Sequence, residues 1–390
     1  MTAIRKTPYV ANFECLGADC ADTCCKGWGM QLDVGTKEKY EKIPELQDAF
    51  DTGEAEWIMK RDPKTDYCTK FDNGLCSIHA KYGDEMLGDA CNFFPRITRK
   101  IGDEMVMTAS LSCPEVARLA LFSDNNAEWQ DSTIERTPAS MIDYTSDELS
   151  DADKIAVHHA FTAACVSDDT PSERMVSRVL SVIISLEMLG TDSWAAAVPF
   201  YLNNADSRLQ PAEQNPNDPF NLLYALIGLI DASRPTSRPR LEHTIADMEK
   251  ALNVSFTRDP LMIQTSEHSY PAWLEMDQRW RSEWSGELDI ILKRWLSAEL
   301  STSFFPFAGL GNTMAERGIL MAVRFATVRL ALQAACVAHD GIPPEDEIIR
   351  VVQSLARFLG HLADPTLSLK IYEETGWTKE TRLRALVGDI

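Results

Sequence analysis

The sequence predicts a mainly α-helical protein whose N-terminal region is irregular, rich in cysteine and organised around a metal site. Eight of its ten cysteines precede residue 114, whereas apolar residues at helical spacing dominate the chain after residue 150. With 390 residues and 45% hydrophobic content, the chain is long enough to bury a sizeable core. We therefore predict a cysteine-cluster metal-binding domain at 1–123, a linker or surface loop at 124–150 and an α-helical domain at 151–390.

The predicted N-terminal domain combines short elements with turns. Gly102 lies between two stretches of alternating polar and apolar residues, which is typical of a β-hairpin, and Pro114 suits the first turn of a helix. The segment after residue 123 is polar and rich in turn-forming residues, as expected of a linker. The predicted elements are helices at 36–42, 44–59 and 114–122, a loop at 67–79, and a small β-hairpin with strands 96–100 and 105–110.

Helical periodicity continues through the rest of the chain and predicts an α-helical bundle. Pro343 and Pro344 separate the last two predicted helices, because proline ends one helix and suits the start of the next. The predicted helices are 151–166, 172–189, 193–203, 221–232, 240–252, 283–300, 313–338 and 346–362.

The charge balance limits the classes of partner. The 38 basic and 59 acidic side chains give a formal net charge of -21, which disfavours binding to nucleic acid. The N-terminus lacks the apolar run of a secretory signal, and we expect no transmembrane segment. These features predict a cytoplasmic protein, and in that reducing compartment clustered cysteines are more often metal ligands than disulfides.

The front cysteines form a dense set of soft donors. Thiolates are the ligands that zinc and iron-sulfur clusters select, so we predict a metal site, with an iron-sulfur cluster, 4Fe-4S in type, as the first choice and zinc as the alternative. A four-iron cluster takes at most four thiolates, so either two sites exist or some thiols lie outside the ligand set. Cys165 and Cys336 stand alone in apolar helices and are predicted to serve packing. The predicted metal ligands are Cys15, Cys20, Cys24, Cys25, Cys68, Cys76, Cys91 and Cys113.

The cysteine motifs resemble known bacterial families. The spacing of the front cysteines, with the segments 75–79 and 91–96, resembles the putative zinc- or iron-chelating cysteine-cluster families. With the segment 111–115 and the helical remainder, the chain resembles the flagellin lysine-N-methylases of the FliB type. The motifs cover roughly residues 13–122, and the rear half matches only in length and helical character.

The resemblance implies a cytoplasmic enzyme that transfers a methyl group from S-adenosylmethionine to lysine side chains of flagellin or another protein. It also implies an iron-sulfur cluster held by four of the eight cysteines, without indicating which four. It assigns neither catalytic nor cofactor-binding residues. Two alternatives stay open on the residues alone: a zinc-stapled non-enzymatic scaffold, and a metal-handling or electron-transfer protein.

The sequence departs from two common architectures for S-adenosylmethionine chemistry. It lacks the alternating strands and helices of a doubly wound sheet, and the pair Gly309 and Gly311 is predicted to form a helix-helix turn. Nor does it have three cysteines separated by three and then two residues, because the position that should follow Cys20 and Cys24 is Gly27.

Other side chains near the cysteines are candidates for supporting roles. Carboxylates are candidates for accepting a proton, although most surface carboxylates are merely solvated, and aromatic rings are candidates for walls of the site. His79 is a candidate for a metal ligand, and Arg96 is a candidate for a partner of the cluster charge. The carboxylates are Asp33, Glu38, Asp66 and Asp72, and the aromatic residues are Trp28, Tyr67, Phe71, Phe93 and Phe94.

Overall fold

The computed structural model describes residues 1–52, 57–123, 128–138, 142–143, 149–167, 169–233, 238–360, 362 and 364–390. The fold is mainly α, as predicted. The helices of the described residues are α1 (Pro8–Ala11), α2 (Val34–Glu41), α3 (Ser77–Tyr82), α4 (Asp89–Phe93), α5 (Pro114–Phe122), α6 (Asp151–Ser167), α7 (Ser172–Leu186), α8 (Trp194–Asn204), α9 (Asp218–Ala232), α10 (Pro239–Ala251), α11 (Ser269–Arg279), α12 (Ser285–Ser303), α13 (Met314–His339), α14 (Glu345–Leu359), α15 (Thr366–Glu374) and α16 (Glu380–Val387).

Strands are concentrated in the N-terminal third. The described strands are β1 (Thr2–Lys6), β2 (Phe50–Thr52), β3 (Trp57–Met59), β4 (Phe71–Asp72), β5 (Leu75–Cys76), β6 (Arg96–Ile101), β7 (Glu104–Ala109), β8 (Gln130–Ile134), β9 (Ile142–Asp143), β10 (Val254–Arg258) and β11 (Leu261–Thr265).

The predicted β-hairpin is present but belongs to a larger sheet. Strands β6 and β7 pair antiparallel around the turn at Gly102, as the alternation predicted. Within the described residues they lie in a five-stranded sheet of order β8-β1-β7-β6-β9, in which β1 runs parallel to β7. Neither β1 nor β8 was predicted, because both are short and largely polar and are stabilised by pairing with strands far away in the chain.

Two N-terminal predictions need correction. The predicted helix at 44–59 is wrong: its described residues form turns followed by the antiparallel strands β2 and β3. Ala49, Phe50 and Met59 pack against Leu32 and Tyr40, and this burial overrides the local helical pattern. The predicted loop at 67–79 contains the short hairpin β4-β5 and the start of α3.

The segment 124–150, predicted as a linker or surface loop, is partly structured. Its described residues include β8, which pairs with β1, and β9, which pairs with β6. Residues 124–127, 139–141 and 144–148 lie outside the described residues. The strands differ from the predicted loop because a polar strand at the edge of a sheet carries little apolar periodicity. The division of the chain into domains stays a prediction.

The helices after residue 150 pack around α13. This helix contacts α7, α10, α14 and α16, and Thr313 and Glu316 form a capping box at its N-terminus. α13 is long and apolar enough to cross a membrane, but 89% of that stretch is buried inside the protein, as in the central helix of a globular core. The sequence prediction missed α11, α15, α16 and the hairpin β10-β11.

The main hydrophobic core joins the N-terminal sheet to the helices. It includes Tyr9 and Val116 from the front of the chain together with Phe161, Phe325 and Trp377 from the helical region. A second, smaller core lies under the cysteine segments; it is centred on Leu32, Tyr40 and Ile78, and Cys68, Cys76 and Cys91 pack against it. The cysteines therefore surround a cavity that both parts of the fold help to build.

Candidate metal centre

All eight predicted cysteines line one cavity. Its volume is about 900 Å³, and its walls come from the N-terminal segments and from Arg357 of α14. None of the eight thiols is in a disulfide. The structure therefore brings together residues that are up to 98 positions apart in sequence, from Cys15 to Cys113. Whether these thiols bind a metal stays a prediction.

Short elements position the thiols. Cys76 and Cys113 occupy the N-cap positions of α3 and α5, and Cys91 lies within α4. The segment Cys20–Gly29, which we call the cysteine loop, is tied to the next thiol because the Cys68 backbone N–H donates to the Cys25 carbonyl at 2.7 Å. The Trp28 indole N–H donates to the Cys24 carbonyl at 2.7 Å, which fixes the turn after the vicinal pair.

The eight thiols divide into two groups according to which of them act on one another electrostatically. Cys24, Cys25, Cys68, Cys76 and Cys91 form the five-thiol group, in which the charges of Cys68, Cys76 and Cys24 act on both Cys25 and Cys91. Five soft donors around one space exceed what a single four-iron cluster needs.

The remaining thiols, Cys15, Cys20 and Cys113, form the three-thiol group. The charges of Cys20 and Cys15 both act on Cys113, and Cys15 acts on Cys20. Cys24 also acts on Cys20, so the two groups adjoin within the cavity. This arrangement leaves room for one centre in each group or for one centre with neighbouring free thiols.

Burial sets the ionisation of most of these thiols. It raises the pKa of Cys91 and of Cys113 to about 12, and it also raises the pKa of Cys20 and Cys68. The hydrogen bond between the vicinal thiols lowers the pKa of Cys24 to about 7, with help from the Arg357 charge, and raises the pKa of Cys25. Metal binding would have to displace protons from the buried thiols, so metal affinity should rise with pH.

Aromatic side chains line part of the cavity, as predicted for Trp28, Phe71, Phe93 and Phe94. Trp28 and Phe94 meet edge to face with 5.1 Å between ring centroids. Tyr67 stacks on Phe71 at 4.9 Å but faces a second cavity. These rings give the cavity part of its apolar wall, while Cys15 and Cys24 remain exposed.

His79 and Arg96 also line the cysteine cavity. The Arg96 guanidinium donates to the backbone carbonyls of Phe93 and Asn92 at 3.2 and 2.7 Å, which orders the segment that carries Cys91. Arg96 thus supports the site from the side of α4. No distance in the described structure assigns His79 as a ligand.

The helical region holds the cysteine loop through Asp22, a contact that the sequence did not reveal. Arg357 of α14 binds the Asp22 carboxylate and the Lys26 carbonyl, and its guanidinium lies 4.6 Å from the centre of the Trp28 ring. Gln353, one turn earlier, donates to Asp22 at 2.9 Å and to the Ser112 carbonyl at 3.0 Å. α14 therefore bridges the loop and the segment that carries Cys113.

The four predicted carboxylates have structural or surface positions. Asp33 caps α2 by accepting from Thr36 and also accepts from the Asp89 N–H. Asp66 pairs with Arg61 at 2.7 Å, whereas Glu38 and Asp72 are exposed. None of the four lines the cysteine cavity within the described chain. Gly309 and Gly311 form a turn between α12 and α13, both with positive φ, as predicted.

The donor atoms of the cavity can be compared with those of known metal sites. In a four-cysteine zinc site the sulfurs lie about 3.8 Å apart, because zinc-sulfur bonds are about 2.3 Å long in a tetrahedron. Among the described residues, no three of these cysteine sulfurs lie within 4.8 Å of one another. Thiolates are ligands of both zinc ions and iron-sulfur clusters, and the cavity has more thiols than either kind of centre takes. An iron-sulfur cluster thus fits the donor set, which consists of thiols.

One compact group of potential ligands lies elsewhere in the described structure. The ligand atoms of His243, Asp247 and Glu347 lie within 4.8 Å of one another between α10 and α14. Arg350 donates to Asp247 at 2.6 Å and to Glu347 at 2.8 Å, so these carboxylates already have a cationic partner. We interpret the group as an ion-pair network that joins the two helices.

Cys165 and Cys336 lie away from the site. Both are fully buried in the main core, on α6 and α13, and the Cys165 thiol donates to the Phe161 carbonyl. Burial raises the pKa of Cys336 to about 12 and also raises that of Cys165. Their positions agree with the predicted packing role.

Comparison with known proteins extends the resemblance to the helical region. The family model described as the FliB lysine N-methylase C-terminal domain matches residues 194–378. The flagellar biosynthetic protein FliU of Salmonella muenchen is 30% identical over 124 residues, which is 29% of this chain and 73% of that protein. The chain belongs to the FliB-type lysine N-methylase family. The match at 194–378 corrects our expectation that the rear half would match only in length and helical character.

Two further relatives support the enzyme class predicted for the FliB-type chain, a protein-lysine methyltransferase. The lysine-N-methylases of Salmonella choleraesuis and Salmonella typhimurium are each 28% identical over 142 residues, which is 34% of this chain. The matched part spans 35% of the length of these relatives. No solved structure matches the chain.

Proposed function

We propose that this chain is an iron-sulfur-dependent protein lysine N-methyltransferase that uses S-adenosylmethionine and modifies flagellin in the cytoplasm. The observation that carries the proposal is the cavity lined by eight thiols in a chain of the FliB-type family. Relatives named lysine-N-methylase and flagellar biosynthetic protein support the reaction and the flagellar substrate.

The five-thiol group is the better source of cluster ligands. It offers more than the four thiolates that a four-iron cluster takes, and Cys68, Cys76 and Cys91 pack against the second core, which restricts their movement. The three-thiol group has one donor too few to hold such a cluster by thiolates alone. When bound, an iron-sulfur cluster supplies iron as a Lewis acid or as a one-electron donor.

The remaining walls of the cavity suit methyl transfer to an amine. A lysine attacks a methyl group only as the neutral amine, and a water-poor site favours that form. Trp28, Phe93 and Phe94 contribute apolar surface to the walls beside the thiols. The net charge of -21 attracts a cationic protein surface, which agrees with a lysine-bearing acceptor.

Metal analysis tests the cofactor. Protein purified without oxygen should be brown and contain iron and sulfide in equal amounts. Colourless protein with stoichiometric zinc would support the alternative of a zinc-stapled scaffold, because zinc has no visible absorption bands.

Variants test the assignment to the five-thiol group. Cys68→Ser, Cys76→Ser and Cys91→Ser should lower the iron content, whereas Cys165→Ala should leave it at the wild-type level. Equal iron in the three variants and in the wild type would contradict the assignment.

A mass-spectrometric assay tests the reaction. Incubation of flagellin with S-adenosylmethionine and anaerobically prepared protein should add the mass of methyl groups to lysine side chains. Unmodified flagellin after incubation with cluster-loaded protein would refute the proposed activity. It would not contradict the proposed metal centre.

A further inference from the structure

A second cavity lies on the other side of the cysteine loop. Its volume is about 750 Å³, which is within the range of sites for small organic ligands. The cysteine loop forms one wall, and residues of α9, α10, α14 and α15 form the others. Asp22, Trp28 and Arg357 line both cavities, so a ligand in the second cavity would border the thiol site.

The lining of the second cavity is cationic. Its charged residues in the described structure are Lys26, Arg238, Arg240, Arg357, Asp22 and Asp364. This excess of positive charge contrasts with the net charge of -21 for the whole chain. Such a local reversal of charge focuses a positive potential into the cavity.

The two carboxylates of the lining are already engaged. Asp22 binds Arg357 and accepts a hydrogen bond from Gln353 at 2.9 Å. Asp364 is exposed and accepts from the Thr366 N–H at 2.8 Å, at the start of α15. Even so, four of the six charged residues are cationic and two are anionic, so the lining keeps an excess of positive charge.

Arg238 and Arg240 have no carboxylate partner within 4.0 Å among the described residues. Arg240 Nε donates to Gln353 Oε1 at 2.8 Å, and the Arg238 guanidinium lies 5.2 Å from the centre of the Phe358 ring. Burial is the main cause that lowers the pKa of both, although the charges of Asp66 and Glu242 act in the opposite sense on Arg238, and those of Asp22 and Glu347 on Arg240. Two half-buried guanidinium groups that form no direct ion pair with a carboxylate would gain stability from a bound anion.

The helix that carries these arginines adds to the positive potential. α10 begins at Pro239, between Arg238 and Arg240, and the N-terminus of a helix carries a partial positive charge. Gln353 holds Arg240 from α14, so the position of this guanidinium is fixed by packing between two helices. Arg240 is therefore held in place between two helices.

We propose that the second cavity binds the carboxylate of a ligand of the methyl-transfer reaction through the guanidinium groups of Arg238 and Arg240. Guanidinium and carboxylate groups match in geometry and charge, and Trp28 and Phe358 offer apolar surface to the rest of the ligand. The proposal rests on the proposed function. The carboxylate has two sources in that reaction: the amino-acid part of the methyl donor, or an acidic side chain beside the acceptor lysine.

Calorimetry with the full-length, metal-loaded protein tests the site. The probe for the donor is S-adenosylhomocysteine, and the comparison probe is 5′-methylthioadenosine, which lacks both the carboxylate and the α-amino group. The double variant Arg238→Gln/Arg240→Gln should bind S-adenosylhomocysteine at least about tenfold more weakly and methylthioadenosine as tightly as the wild type. Arg208→Gln is the control, because Arg208 is also an arginine over an aromatic ring, Tyr201 at 4.0 Å, but lies outside the cavity.

Flagellin is the probe for the second source. Unchanged binding of S-adenosylhomocysteine with about tenfold weaker binding of flagellin would assign the carboxylate to the acceptor protein. If the folded double variant binds S-adenosylhomocysteine and flagellin with affinities within about twofold of those of the wild type, the inferred site is wrong. Thermal unfolding of both proteins verifies that the variant is folded.

A methylation assay on the wild-type preparation distinguishes failure of the inferred carboxylate site from failure of the proposed function. Methylation of flagellin by the wild type, combined with unaltered binding by the double variant, would overturn the site and leave the proposed function standing. A wild type that binds neither probe and leaves flagellin unmodified would overturn the proposed function, and the inference with it.

Discussion

Arg357 links the helical region to the cysteine loop, and its removal should loosen that loop. Arg357→Gln removes the ion pair with Asp22, the hydrogen bond to the Lys26 carbonyl and the contact with the Trp28 ring. Hydrogen bonds to charged groups contribute about 1.5–3 kcal/mol each. The Arg357 and Asp22 side chains are 17% and 22% exposed, so we take values near the lower limit. The expected loss is about 2–3 kcal/mol, because Gln353 still holds Asp22.

Hydrogen exchange measures this loss directly. Such a loss corresponds to an increase of about 30- to 150-fold in the exchange of loop amides that open locally. Peptides that cover the cysteine loop should show this change in Arg357→Gln at the same metal content as the wild type. Arg208→Gln should match the wild type. Unchanged protection of the loop in Arg357→Gln would refute the conclusion that α14 holds it.

Four further variants test the site and the core. Cys24→Ser should lose metal, whereas Cys336→Ser should keep the wild-type metal content and lose only packing stability; equal metal loss would show that the thiols were wrongly divided. Burial lowers the pKa of His158 from 6.5 to about 3, so His158 stays neutral in the folded protein and takes up a proton on unfolding. Stability should therefore fall by about 2 kcal/mol between pH 7 and pH 5, and denaturation of His158→Gln should show a smaller decrease. Asp218→Ala should cost about 3 kcal/mol in urea unfolding, because it leaves Arg382 buried without its partner at 2.7 Å; a loss below about 1 kcal/mol would contradict this.

The sequence predicted features that depend on local pattern. The hairpin β6-β7 was predictable because alternation on both sides of Gly102 specifies strands and turn together. The helix α5 was predictable from Pro114 and the apolar residues that follow it. In each of these cases neighbouring residues contain the whole signal.

Features that depend on distant contacts were missed. Strand β1 forms because β7 and β8 pair with it, and β8 belongs to a segment whose composition is that of a loop. The segment 44–59 has apolar residues at helical spacing, but Phe50 and Met59 are buried as strand residues in the second core. Tertiary burial decided both outcomes, and periodicity within one segment does not report it.

The candidate site also combines features that local sequence predicts with features that depend on distant contacts. Cysteine type and clustering indicated which thiols to consider, and the structure places all eight of them around one cavity. The contact between Asp22 and Arg357 joins residues that are 335 positions apart, so a single sequence contains no signal for it. Arg238 and Arg240 were missed for a similar reason, since they look like surface residues at the start of an amphipathic helix.

The continuous core that joins the N-terminal sheet to the helices has a practical consequence for work with shortened versions of this protein. Cutting the chain at residue 123 would strip the helical partners from Val116 and Leu121 of α5, both of which are completely buried. It would also separate Asp22 from Arg357. Each separated half would expose apolar surface that is buried in the whole chain, and it would therefore aggregate. Heterologous expression should keep the front and rear segments on one polypeptide.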